Sequence, residues 1–345
     1  LGCNRGHAEK PLSVFAGLKA FGWLVAIIQR MSFVALILAL LLEQVRPLPD
    51  GNVLHQALLR WSHWIRLTLH SGKPEGAWLA WGVALGAPTL LVLLVHVLLS
   101  QIFGGFLAMI WMCVVLYACL GFRQFSHHFT SIRDAMSSGQ YDQAARAMAQ
   151  WRQVQQVPSD PTELTRQLIE HSVLSAHRHV FGVVFWFSVL AALGLGPLGA
   201  VVYRLSEFFG RAWAPSAMEE VTAATPEALV SLKAWAAIDW VSARVTAMMF
   251  AIAGNFEDAM DSWRSQALRE SLNNDEVLIS ATAGALGVQL GAAFKNQSDG
   301  EAPDVAEVGR LPQFSHLRSL VGLVWRTVVI WSVLLALMTM ARMLS

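Results

Sequence analysis

The sequence has little charge and few cysteines, and these two shortages exclude several classes of protein. Only 14% of the 345 residues are charged, whereas about 25% is usual for a soluble domain. The net charge is +1, and no basic run interleaved with aromatic residues suggests a nucleic-acid partner. Of the three cysteines, Cys113 and Cys119 lie in one apolar segment and Cys3 is remote. We therefore predict no nucleic-acid binding, no disulfide framework and no cysteine metal site.

Motifs of common enzymes are also missing. There is no Gly-x-x-x-x-Gly-Lys-Ser/Thr phosphate loop, no Gly-x-Gly-x-x-Gly after a strand, and no His-Glu-x-x-His pair. There is no Gly-x-Ser-x-Gly turn for a serine nucleophile either. The sequence therefore gives no standard nucleotide-binding, zinc-binding or serine-hydrolase pattern.

Long apolar runs dominate what is present, with 55% hydrophobic residues and a mean hydropathy of +0.46. The runs cover residues 31–43, 77–99, 102–120, 180–202, 235–253 and 320–341. Most of them reach or approach the roughly 20 residues that a helix needs to cross the hydrocarbon core. Because backbone hydrogen bonds must close internally in lipid, we predict an all-α, polytopic integral membrane helical bundle. It should have about six transmembrane helices, with cytoplasmic helical inserts.

The first thirty residues differ from the rest. They begin without Met, and their apolar patch at residues 21–28 is too short to span a membrane. A typical membrane-protein opening follows from Met31. We expect translation to start at Met31, so that residues 1–30 are an upstream extension and residues 31–345 form the membrane domain.

Lysine and arginine in short loops mark the cytoplasmic side. They are concentrated in residues 43–75, 122–179 and 254–319, whereas the loop 204–234 carries few. We predict that 122–179 forms a cytoplasmic helical hairpin that turns at Ser137-Ser138-Gly139. Residues 296–312, rich in Gly, Pro and acids, should form a flexible insert.

Two groups of polar residues lie in or beside the apolar runs. Five histidines gather near Arg178, at positions 127, 128, 171, 177 and 179. Without ligand spacing, interfacial anchoring accounts for them better than metal binding. Asp239 and Arg244 fall inside an apolar run and should face protein, with Arg244 pairing with Asp239 or Glu170.

A glycine series at 284, 287 and 291 would let a second helix or a ligand approach the backbone. Of these two readings, helix packing is favoured.

Four segments in the second half carry a family resemblance. They are Asp-Trp-Val-Ser-Ala-Arg at 239–244, Ser-Trp-Arg at 262–264, Ser-Leu-Asn-Asn-Asp-Glu at 271–276 and the glycine-rich 283–291. In this order they resemble the CobD/CbiB family of cobalamin-biosynthesis membrane proteins. The resemblance extends forward through 203–204, 185–186 and 170 to 40–43, and so covers nearly everything from Met31.

The resemblance implies two alternative functions. The family's enzyme is adenosylcobinamide-phosphate synthase, which forms an amide bond with ATP and magnesium; here its catalytic acids would be Glu170, Asp239 and Glu276. However, Leu174-Ser175 and Arg178-His179 stand where the family has Glu-Asn and Asp-Gly. An arginine at that position resembles AmpE, the non-synthase branch, which is an inner-membrane protein associated with β-lactamase regulation.

We therefore predict a bacterial inner-membrane, multi-pass, AmpE-like signalling or ligand-binding protein that needs no cofactor or metal, with the ATP- and magnesium-dependent synthase as the alternative. A transporter or scaffold is a third hypothesis. The partners expected are the lipid bilayer, an anionic or corrinoid ligand, and a protein partner or second copy of the chain. The predicted ligand-binding residues are His177, Arg178, Arg244, Trp263, Arg264, Ser271, Asn273, Gly284 and Gly287.

Overall fold

The computed structural model describes residues 32–43, 45, 53–69, 73–214, 225–269, 273–291 and 309–344. These residues form helices and one isolated β-bridge between Val288 and Arg310, in agreement with the predicted all-α fold. The upstream extension 1–30, the start at Met31 and residues 296–308 of the flexible insert lie outside the described residues.

Thirteen α-helices and one π-helix are described, and their bounds fix the labels used below. They are α1 (Ser32–Glu43), α2 (Val53–Leu69), α3 (Pro74–Ile102), α4 (Gly105–Cys119), α5 (Phe122–Ser137), α6 (Tyr141–Arg152), α7 (Pro161–Ala176), the π-helix (His177–Phe181), α8 (Gly182–Ala192), α9 (Leu198–Ala212), α10 (Pro226–Ala253), α11 (Phe256–Arg269), α12 (Asn274–Leu286) and α13 (Phe314–Leu344).

Four helical stretches among the described residues are long and apolar enough to cross a membrane. They are Pro74–Ile102, Pro161–Ala192, Pro226–Ala253 and Phe314–Ala341. Two further apolar helices, α1 and α4, are shorter. The 15 residues of α4 extend about 22 Å at 1.5 Å per residue, less than a hydrocarbon core of about 30 Å. The predicted count of about six spans is therefore not confirmed.

The span predicted at 180–202 has the wrong boundaries. The helix begins at Pro161, runs through α7 and the π-helix, and ends at Ala192. Gly194 and Gly196 then take positive φ angles of 80° and 58°, a backbone conformation that glycine adopts without steric cost. The chain turns there, and α9 packs back along α8. Hydropathy alone merged the end of one helix with the start of the next.

The helix α3 is packed in the manner of a membrane protein. Its small residues Ala77, Ala80 and Ala84 are buried, whereas the large side chains of Leu90 and Leu91 are exposed. Small residues at helix contacts let backbones approach closely, and lipid covers large apolar side chains without cost. This surface fits association with a lipid bilayer.

The segment 122–152 folds as two antiparallel helices, α5 and α6. They are joined through a turn at Gly139, whose φ is 72°. After the hairpin, Asp160 caps the long helix by accepting bonds from the backbone N–H groups of Thr162 and Glu163, and Pro161 occupies the first helical position, where no N–H is needed. This cap fixes where the helix that carries the functional cluster begins.

Candidate functional site

A buried polar cluster joins the π-helix, α9 and α10. The Oδ1 atom of Asp239 lies 2.8 Å from His177 Nε2 and accepts a hydrogen bond of 2.9 Å from the Tyr203 hydroxyl. All three residues are at most 1% exposed. Burial and the Asp239 carboxylate raise the pKa of the Tyr203 phenol well above its ordinary value, so its hydroxyl stays protonated and donates. Asp239 therefore faces protein, as the sequence predicts.

Two hydroxyl groups from α10 complete the cluster. Ser242 Oγ donates to Asp239 Oδ1 at 3.1 Å, and Thr246 Oγ1 lies 3.0 Å from His177 Nδ1. Asp239, Ser242 and Thr246 are spaced i, i+3 and i+7, so they share one face of the helix. Both ring nitrogens of His177 are thereby engaged, and each buried polar group is satisfied, as buried groups need to be.

The local backbone makes room for this arrangement. His177 opens a π-helix of five residues, a feature frequently found at functional sites. Directly after it, Gly182 lets the Tyr203 ring approach, because a Cβ atom there would stand 2.1 Å from the ring. Tyr203, Ser242 and Thr246 are not among the site residues predicted from the sequence, although polar residues along one face of an apolar helix indicate such a cluster.

The next residue, Arg178, reaches a different element. Its Nη2 atom donates to Asp275 Oδ2 at 2.6 Å, and both side chains are partly exposed, at 25% and 38%. Asp275 lies in the first turn of α12, which starts with a capping box formed by Asn273 and Glu276. An acid in this position is stabilised by the helix dipole. Two consecutive residues of the π-helix thus hold α10 and α12.

Arg244 pairs with neither Asp239 nor Glu170, so that expectation is wrong. Its Nη1 atom donates to Asn274 Oδ1 at 3.2 Å, and its guanidinium lies 4.1 Å from the centre of the Trp240 ring. The Asn274 amide in turn donates to the Ala236 carbonyl at 2.9 Å. The Arg244 side chain lies along α10, where its Nη1 atom also donates to the Trp240 carbonyl at 3.0 Å, and it reaches the start of α12.

Glu170 belongs to a separate network. Both its carboxylate oxygens accept from Arg166 Nη1, at 2.6 and 2.7 Å, and Oε1 also accepts from the Gly291 N–H at 2.7 Å. Arg166 also binds Glu163 through two nitrogens. This network ties α7 to the segment after α12 and leaves Glu170 engaged on both oxygens.

The remaining predicted site residues lie apart from the cluster. Trp263 is half-buried and Arg264 is exposed on α11, while Gly287 ends α12 with a φ of 65°. Gly284 packs against the backbone of α11, where a Cβ atom would meet Asp258 O at 2.1 Å. Ser271 lies outside the described residues. A ligand-binding role for these residues stays a prediction.

The histidines contact aromatic neighbours. Trp151 stacks on His128, with 5.7 Å between ring centroids, and meets His171 edge-on at 4.4 Å. In the part of the chain that the structure describes, no three His, Cys, Asp or Glu side chains gather as metal ligands would.

The residues present do not fit the magnesium that the synthase alternative implies. Asp239, Glu170 and Glu276 bind different partners in three separate networks, so these acids do not form a shared site for a magnesium ion, which is held by one or two carboxylates together with the phosphates of ATP.

The amino-acid sequence of this chain is similar to one family model and to proteins named for cobalamin biosynthesis. A family model described as "Regulatory signalling modulator protein AmpE" matches residues 54–283. A protein named Cobalamin biosynthesis protein CobD from Stutzerimonas stutzeri is 30% identical over 279 residues, covering 78% of this chain and 86% of that protein. A protein of the same name from Chromobacterium violaceum is 27% identical over 229 residues, covering 64% and 68%. No solved structure matches the chain.

Proposed function

This chain belongs to the AmpE family, within the CobD/CbiB-like group of membrane proteins, and we propose that it is a regulatory protein of the bacterial inner membrane. In this proposal it binds an anionic ligand or a protein partner and does not form an amide bond. The partner is another protein or a second copy of this chain.

One observation carries the proposal: the two adjacent residues His177 and Arg178 hold different elements. His177 binds Asp239 inside the helix bundle, and Arg178 binds Asp275 at the partly exposed start of α12. Because both residues lie in one short π-helix, any shift of that helix changes both contacts together. A switch requires an element whose movement changes separate contacts together, and the π-helix is that element in this proposal.

The engaged carboxylates also support a regulatory role over catalysis. Glu170 and Asp239 are each held by two or more hydrogen bonds, and Glu276 is held in the cap of α12. Arg178 stands where the resemblance to the synthases would require an acid. A guanidinium there repels a magnesium ion and attracts a carboxylate or phosphate.

The alternative remains an adenosylcobinamide-phosphate synthase, which would use ATP and magnesium. The identity of 30% to a protein named for cobalamin biosynthesis, over 78% of this chain, is the observation in its favour.

The substitution Arg178→Asp tests the regulatory proposal. It replaces the attraction across the contact with Asp275 by a repulsion between two carboxylates, and like charges placed together disfavour such a contact. We expect this variant to lose regulation in a β-lactamase induction assay by about tenfold or more, and to gain no synthase activity. The exchange Arg178→Asp with Asp275→Arg should restore part of the response.

The matched control is Arg146→Asp, which changes an exposed arginine of α6. It should leave induction unchanged, with all variants compared at equal membrane abundance. An Arg178→Asp variant that regulates as well as the wild type would remove Arg178 from the mechanism.

A further inference from the structure

We propose that helix α2 is an interfacial membrane-binding element of this chain, and that Arg60 and Arg66 on it bind the headgroups of anionic phospholipids. The occupant of this surface is the leaflet of the bilayer that α2 contacts. The surface and its lipid partner are separate from the contacts of the π-helix on which the proposed regulatory function rests.

One side of α2 packs against the rest of the protein. Trp61 Nε1 donates to the Ala84 carbonyl of α3 at 3.1 Å. Ser62 Oγ accepts a hydrogen bond of 2.8 Å from the indole of Trp213, the residue that follows α9. Ile65 lies one turn beyond Ser62 on the same side of the helix and is fully buried. These contacts fix which side of α2 faces outwards.

A second side of α2 is apolar and exposed. Val53, Trp64 and Leu67 are 80%, 51% and 70% exposed, and Ala57 is exposed as well. At 3.6 residues per turn, these four positions fall on one strip of the helix surface. Large apolar side chains that gather on one exposed patch mark a surface for a partner or a membrane.

The remaining side of α2 is polar and basic. It carries four basic side chains, at positions 55, 60, 63 and 66, together with Gln56 and Leu59. Both arginines are exposed, and α2 contains no acidic residue. An apolar face with tryptophan beside a basic polar face is typical of a helix that lies at the surface of a bilayer.

Tryptophans indicate the depth at which α2 lies. Helix α3 is long and apolar enough to span a membrane, and Trp78 and Trp81 near its start have ring centroids 6.0 Å apart. In α2, Trp61 stacks on Trp64 with 5.3 Å between centroids. Trp61 also bonds to Ala84, less than one turn beyond Trp81. Because tryptophan concentrates between the acyl chains and the headgroups, α2 contacts α3 at the membrane interface.

The chemistry of this surface favours a phospholipid over a protein partner. A phospholipid presents acyl chains next to a phosphate, and Arg60 lies beside the apolar strip of α2. A guanidinium forms a bidentate pair with a phosphate, and the anionic lipids of a leaflet attract basic residues close to its surface. An acid-free helix with two arginines should therefore prefer an anionic lipid to a zwitterionic one.

Photo-crosslinking in bacterial membranes that contain the full chain identifies what lies against α2. Benzoylphenylalanine replaces Ala57 on the apolar strip or, as the matched control, Leu59 on the polar side; both positions are exposed. We expect several-fold more lipid adducts from position 57 than from position 59, since only position 57 faces acyl chains. Equal lipid adducts at the two positions would overturn the interfacial position of α2, as would an adduct between position 57 and a protein, including a second copy of this chain.

The role of the arginines is measured by native mass spectrometry of the detergent-solubilised full chain, titrated with phosphatidylglycerol or with zwitterionic phosphatidylcholine. Arg60→Gln combined with Arg66→Gln should weaken phosphatidylglycerol binding by about tenfold or more, because each arginine near an anionic lipid surface contributes about fivefold. Binding of phosphatidylcholine should not change. The matched control, Arg133→Gln combined with Arg146→Gln, removes the same charge from helices α5 and α6 and should have no effect.

The preference of the wild-type chain for phosphatidylglycerol, lost in the α2 double variant and kept in the control, supports the proposal. A wild-type chain that binds both lipids equally would overturn the role of Arg60 and Arg66. So would an α2 double variant that keeps the wild-type preference, or a control variant that loses as much binding as the α2 variant.

Discussion

Replacing Asp239 by alanine is expected to destabilise the protein by about 3–5 kcal/mol, the usual cost of removing one partner from a buried charged network. The carboxylate is the common acceptor for Tyr203 and Ser242 and the partner of His177. Its loss leaves the Tyr203 hydroxyl with only the longer contact of 3.3 Å to His177 Nε2, in the interior, where water does not replace the lost bond. Asp239→Asn keeps one acceptor oxygen, so it should cost less.

Thermal unfolding of detergent-solubilised protein measures this effect. The control is Asp275→Ala, which removes a carboxylate from a partly exposed pair, and such pairs contribute about 0–1 kcal/mol. Equal destabilisation by Asp239→Ala and Asp275→Ala would show that the buried cluster does not hold α9, α10 and the π-helix together.

The second large effect is expected from Gly284→Ala, which should cost about 1–3 kcal/mol or more through overpacking. The new Cβ atom would lie 2.1 Å from Asp258 O and 2.5 Å from Ala259 Cα. Both are backbone atoms, so α11 and α12 would have to move apart. The start of α12 holds Asp275, and we expect its contact with Arg178 to weaken as well.

Gly82→Ala is the matched control for this change. Gly82 also lies inside a helix, but a Cβ atom there would meet nothing within 4 Å. Because alanine has the higher helix propensity, we expect this variant to be neutral or more stable by up to about 1 kcal/mol. The unfolding midpoints of the two variants, measured side by side, test whether Gly284 is needed for close packing of α11 and α12. If Gly284→Ala were as stable as Gly82→Ala, the packing role of Gly284 would be wrong, and ligand binding would be the interpretation left for it.

Local sequence signals predicted the class of fold and the turn between α5 and α6 at Gly139. Apolar length predicted the four long membrane helices. The same hydropathy missed the turn at Gly194 and Gly196, since an average over twenty residues does not register a two-residue break. Loop arginines predicted sidedness, which the fold itself does not test.

The contact partners of a side chain on other helices were harder to predict than whether the side chain is buried. Asp239 in an apolar run had to face protein, because an isolated charge in lipid is costly. Its actual partners, His177 and Tyr203, lie 62 and 36 residues away in sequence, so only helix packing brings them together. Charge alone predicted a carboxylate partner for Arg244, whereas the side chain contacts the Asn274 amide and the ring of Trp240.

The most direct test of the regulatory account is complementation of a strain that lacks adenosylcobinamide-phosphate synthase, scored as growth that depends on cobalamin synthesis. The wild-type chain should be expressed in the membrane at the level of a functional synthase control. We predict no rescue, because the acids a magnesium-dependent amide synthesis would use are bound in separate networks. Growth equal to that with the synthase control would contradict the account and establish the enzyme alternative.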